Sequence, residues 1–99
     1  RVIDKTTSVS ELTSGKATLL NYPNPFNNST TITYELKARS EVSLSVFNIL
    51  GNKLQVLENT TKQAGSYSVE WSPQDFSEGL YILQLKVNDQ LITKKVIKN

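Results

Sequence analysis

The amino-acid sequence predicts an all-β domain, an antiparallel sandwich of about seven strands, and three observations predict it. Val, Ile and Thr number 24 of the 99 residues, against three Ala and no Met, a balance that favours strands over helices. Apolar residues recur at every second position in one segment after another. The segments begin near residues 18, 30, 42, 53, 65, 79 and 91, a spacing of 11 to 14 residues that leaves no room for crossover helices and implies antiparallel neighbours.

The first segment, Ala17 to Tyr22, is short and weakly patterned. In the second, Ile32, Tyr34 and Leu36 alternate with Thr31, Thr33 and Glu35, and in the third Val42, Leu44 and Val46 alternate with Ser43, Ser45 and Phe47. Each reads as a strand with one buried face. The same period places Leu54 and Val56 inward in the fourth, Tyr67, Val69 and Trp71 in the fifth, and Tyr81, Leu83, Leu85 and Val87 in the sixth. The seventh, Leu91 to Lys98, carries lysines in both phases, which suits an edge strand because charge discourages unwanted pairing.

Turn chemistry separates these runs. Gly51 and Asn52 both tolerate positive φ between the third and fourth strands, and Asn88-Asp89 serves the last turn. Gly65 opens the fifth strand, Gly79 opens the sixth, and Ser72-Pro73 stops the fifth ahead of an irregular loop to Glu78. Residues 1–16 are polar and aperiodic, so they read as a linker or arm leading to a domain over 17–99. The opening residues carry neither an initiator Met nor a signal-peptide pattern, which suggests a module of a longer polypeptide.

Composition excludes several function classes. With no His and no Cys, the usual zinc ligands, Ser-His and Cys-His pairs and disulfides are all missing. A formal charge of +2 is far from the footprint of a nucleic-acid binder. The longest apolar run, Leu80 to Leu83, is too short to cross a bilayer as a helix, so no transmembrane segment is expected. Glu35 with Glu41, and Asp75 with Glu78, read as solvated charges and not as an acid–base pair, and Asp75 and Glu78 lack calcium-loop spacing. No catalysis, cofactor or metal is expected. Trp71, Tyr67, Tyr34 and Tyr81 fall in the inward phase, which favours core packing over sugar stacking. Phe47 and Phe26 fall outside that phase and are the candidates for exposed contacts. The acceptor triplets at Asn27, Asn28 and Asn59 are attributed to the abundance of Asn and Thr.

The least generic stretch is Tyr22-Pro23-Asn24-Pro25-Phe26-Asn27. Its prolines fix φ and bias the residues before them toward extended geometry, giving a stiff crossover stapled by Tyr22 and Phe26. Taken with Thr31 to Leu36, Val42 to Val46, Asn48-Ile49-Leu50-Gly51, Gly65-Ser66-Tyr67, Trp71, Gly79-Leu80-Tyr81 and the basic final strand, it resembles the type A C-terminal sorting domain, or Por secretion tail, of type IX secretion cargo in Bacteroidetes and related bacteria. Asn28 stands where a third proline is common, and Ser72-Pro73 replaces the Asp-Gly that often follows the tryptophan.

The resemblance implies an immunoglobulin-like sandwich and a role in recognition. Its partners would be the type IX translocon, outer-membrane shuttle or sortase components, together with a covalently linked N-terminal cargo. Its destination would be the cell surface or the medium, reached through the periplasm, with cleavage within Arg1 to Lys16. Pro23, Asn24, Pro25 and Phe26 match the opening motif, and Lys94, Lys95 and Lys98 the basic terminal strand; these are the candidates for partner recognition. Gly51, Gly65, Tyr67, Trp71, Gly79 and Tyr81 match motif positions expected to maintain the fold. The alternatives are an immunoglobulin-like adhesion or spacer module of an extracellular assembly, as in flagellar hook-capping domains, and a carbohydrate-binding module, which a buried Trp71 would weaken.

Overall fold

The computed structural model describes residues 17–99, so the arm expected over 1–16 lies outside the described residues. The described chain forms β1 (Thr18–Tyr22), β2 (Thr30–Leu36), β3 (Ser40–Phe47), β4 (Lys53–Lys62), β5 (Gly65–Trp71), β6 (Gly79–Val87) and β7 (Gln90–Lys98). They build a three-stranded sheet in the order β1-β2-β5 and a four-stranded sheet in the order β4-β3-β6-β7, with every strand pairing antiparallel. This is the all-β sandwich that the alternation predicts. Its fourth strand lies beside the third, not beside the fifth as in constant-type immunoglobulin domains.

The core follows the period of two. Ile32, Tyr34 and Leu36 from β2 are buried against Val42, Leu44 and Val46 from β3 and Leu83, Leu85 and Val87 from β6. One end of the sandwich is filled by rings: Trp71 lies 5.5 Å from Phe26, 5.6 Å from Phe76 and 6.0 Å from Tyr81, centroid to centroid. Tilted and edge-on geometries of this kind favour aromatic quadrupoles beyond simple burial.

Strand β4 departs from the expected phase. Leu54 and Val56 are exposed, because register shifts opposite Leu44/Ser45 and Val46/Phe47 insert extra residues and turn Gln55 and Glu58 inward. Bulges bend an edge strand and discourage unwanted pairing. The inward polar groups are used: the Trp71 indole N–H donates to Gln55 Oε1 at 3.0 Å, and the Tyr34 hydroxyl donates to Glu58 Oε1 at 3.1 Å. Lys62 completes the strap, with its ammonium 4.5 Å from the Tyr67 ring centre and 3.4 Å from Glu58. Burial, with the Glu58 carboxylate beside it, pushes the Tyr34 phenol above its ordinary pKa, so it stays a donor. Tyr67, expected in the core, is half-buried in this strap.

One local device occurs twice. Gly65 and Gly79 sit at φ +147° and +144°, each two residues ahead of a tyrosine whose hydroxyl reaches back to the chain before the glycine. The Tyr67 hydroxyl then donates to Gln63 O at 2.7 Å and the Tyr81 hydroxyl to Ser77 O at 2.6 Å. The second is the tyrosine corner of immunoglobulin-like sandwiches. Tyr81→Phe is expected to lower stability by about 1 kcal/mol, the net worth of one such bond. A shift in the urea midpoint at unchanged m-value measures it, and an unshifted midpoint would remove the corner from the account.

Candidate functional site

The two segments singled out for recognition meet on one edge. β1 ends at Tyr22, and the crossover that follows, with cis bonds at Tyr22–Pro23 and Asn24–Pro25, leaves the three-stranded sheet and runs along the outer side of β7. Phe26 forms a parallel bridge there: its N–H donates to Ile97 O at 2.9 Å, and the Asn99 N–H donates to Phe26 O at 2.8 Å. The Asn24 side chain extends the pairing. Its Nδ2 donates to Lys95 O at 3.1 Å and its Oδ1 accepts from the Ile97 N–H at 2.9 Å, so one amide does the work of a strand's backbone. Thr30 braces the crossover from behind, its hydroxyl donating to Pro23 O at 2.8 Å.

Two expectations are corrected. Phe26 is not an exposed contact: it is 1% exposed, because its ring anchors the crossover against Trp71. Tyr22, expected to share in the staple, is 80% exposed and does not. Pro23, Asn24 and Pro25 are exposed, as are Lys94 and Lys95, while Lys98 is half-buried beside Phe26. β7 is an edge strand, but its edge is not wholly free, since Asn24 and Phe26 occupy it from Lys95 to Asn99. Among the described residues, no strand pairs with that edge ahead of Lys95.

Lys94 shows how the edge is managed. It lies in the inward phase between Ile92 and the fully buried Val96, yet is itself exposed. An inward-pointing charge on a terminal strand makes addition of a further strand costly. The sequence alone did not disclose the Asn24 clamp. Asn between two prolines is a turn signal, and nothing in its spacing from Lys95 and Ile97, some 71 and 73 residues on, marks a contact.

The motif glycines lie at positive φ, and two of the motif rings, Trp71 and Tyr81, lie in the core. Gly51, at φ +90°, closes the β3–β4 turn, where its N–H donates to Asn48 O at 3.0 Å. Trp71 and Tyr81 are buried, which removes those rings from any sugar-stacking surface. Among the described residues, no three His, Cys, Asp or Glu side chains gather to hold a metal, and no helix is long and apolar enough to cross a membrane.

A family model described as the secretion system C-terminal sorting domain matches residues 21–99. No curated protein and no solved structure matches significantly. The family is one of sorting signals and not of enzymes, and membership does not favour the spacer alternative. The matched span takes in the crossover, both glycine–tyrosine corners and the clamped final strand, and the chain belongs to the C-terminal sorting domains that mark proteins for type IX secretion.

Proposed function

We propose that the export machinery reads this domain at the composite edge made by the proline-rich crossover and the final strand. A type IX sorting domain implies export to the cell surface or release into the medium. The observation that carries the reading is the Asn24 clamp, which joins two segments far apart in sequence into one exposed, rigid surface. Pro23 and Pro25 stiffen one side of it, and Lys94, Lys95 and Lys98 supply positive charge on the other.

The partners in this reading are components of the type IX translocon and the outer-membrane shuttle or sortase. They meet the domain in the periplasm, with the cargo linked upstream of it. Cleavage falls within Arg1 to Lys16, since a protease needs unpaired chain, and the bond-making is the sortase's. The domain itself spans 17–99 and performs no chemistry. Attachment of the cargo at the surface or its release follows from what the partner does.

Asn24→Ala tests the clamp. It removes two bonds at an exposed edge, for a cost of about 1–2 kcal/mol, and leaves the core intact. A reporter carrying residues 1–99 behind a signal peptide, in a bacterium with this system, is expected to lose about tenfold in surface delivery and to accumulate in the periplasm. Undiminished delivery of a folded Asn24→Ala fusion would refute the composite edge.

A further inference from the structure

The two outer faces of the sandwich differ in chemistry. On the three-stranded sheet, the outward positions of β2 and β5 hold Thr31, Thr33, Ser66 and Ser68, with carboxylates at Glu35 and Glu70 and no lysine. On the four-stranded sheet, the outward positions carry Lys53, Lys86 and Lys95, and the one carboxylate is Glu41. A single cross-strand row runs through all four strands as Lys53, Phe47, Ile82, Lys95, each residue directly opposite the next. Lys53 lies 5.9 Å from the centre of the Phe47 ring, and Leu80 and Ile97 form an exposed pair in the adjoining row. Glu41 stands six residues up β3 from Phe47, about 20 Å away, so the row is free of negative charge.

The β3–β4 turn stands at the end of this row and presents two apolar residues that the fold does not need. Ile49 and Leu50 are 68% and 80% exposed. The turn is closed without them: Asn48 Oδ1 accepts from both the Leu50 and the Asn52 N–H at 3.0 Å, and Asn48 N–H donates to Asn52 O at 3.0 Å. A tip locked by Asn48 and Gly51 holds bare aliphatic side chains in water, where Asn, Asp or Gly would ordinarily stand. Leu54, displaced by the bulge beside it, is exposed too.

We infer that this strip, from the Ile49-Leu50 tip across Phe47 and Ile82 to Lys95, is a second docking surface of the domain, and that its occupant is a protein with an apolar groove flanked by carboxylates. The inference rests on the reading that export machinery contacts the domain, and it adds a face to that contact. Charge complementarity sets the occupant. The two lysines lie three strand spacings apart, about 14 Å, with only apolar side chains between them, so matching acids must sit on either side of an apolar centre. The next row, Val56, Ser45, Gln84 and Thr93, is uncharged and polar in three of its four side chains, which suits a protein surface better than lipid. Lys95 belongs both to this strip and to the clamped edge, so the two surfaces are continuous.

The test uses the same reporter fusion with three variants. Ile49→Asp with Leu50→Asp, and separately Lys53→Glu with Lys95→Glu, are expected to lower surface delivery about tenfold, the loss of one central contact. All of these side chains are exposed, so the purified variants should keep the wild-type unfolding midpoint. Leu20→Asp, on the opposite face, should be delivered normally. Delivery of both strip variants within twofold of wild type would overturn the inference, as would an equal loss in Leu20→Asp. Binding of the purified wild-type domain to phosphatidylglycerol vesicles, lost in the strip variants, would replace the protein partner with a membrane. A wild-type dimer that the same variants dissociate would replace it with a second copy. Because Lys95 belongs to both surfaces, the tip variant separates them: Ile49→Asp with Leu50→Asp failing where Asn24→Ala succeeds would uphold the strip and sink the clamp, and the converse would do the reverse.

Discussion

Trp71→Ala is expected to cost about 3–5 kcal/mol, a large part of the stability of a small domain. The substitution empties the centre of the ring cluster, leaving Phe26, Phe76 and Tyr81 without the indole they pack around at 5.5 to 6.0 Å. It also strands Gln55, whose side-chain oxygen accepts from the indole N–H across the open side of the sandwich. Each ring pair adds roughly 0.5–1.5 kcal/mol beyond its buried area, and the cavity adds its own cost. The thermal midpoint should fall by about 20 °C, by the usual proportion between free energy and melting temperature in a domain of this size. A loss below about 1 kcal/mol would mean that the cluster closes over the gap and that Trp71 is not its keystone.

Phe26→Ala carries the next largest effect, about 3 kcal/mol, and it separates two roles of one residue. The backbone of Phe26 bonds Ile97 and Asn99, while its ring is seated on Trp71. Alanine keeps the backbone groups and removes the seat. The crossover should then lift from the edge of β7, and the amides of Phe26, Ile97 and Asn99 should exchange with solvent much faster than those of β3 and β6. In Asn24→Ala, by contrast, only the Ile97 amide loses its acceptor. Unchanged protection of Phe26 and Asn99 in Phe26→Ala would show that the backbone bonds hold the crossover without the ring.

Much of the fold is legible from the order of residues. Strands expected at 18, 30, 53, 65 and 79 begin there, and those expected at 42 and 91 begin at Ser40 and Gln90. Gly51 and Asn88 take the positive φ that their turns require. What failed did so for physical reasons. Period-two reading assumes an unbroken pleat, and β4 is broken twice by bulges, so Leu54 and Val56 changed sides. Phe26 lies in no strand, so no phase could place it, and only the turn of the crossover onto β7 puts its ring in the core. The segments of the candidate site were legible as motifs, but their meeting was not, because two hydrogen bonds from one amide leave no trace in periodicity.

Because β1 and the crossover run parallel to β7, the described chain enters at one pole and finishes at the other. The Ala17 N–H lies 3.3 Å from the side chain of Gln90, where the last strand starts, and Asn99 is held by Phe26, where it stops. The nine residues of β7 put about 30 Å between the two. Ala17, the point at which the described chain starts, therefore lies at the pole remote from the prolines.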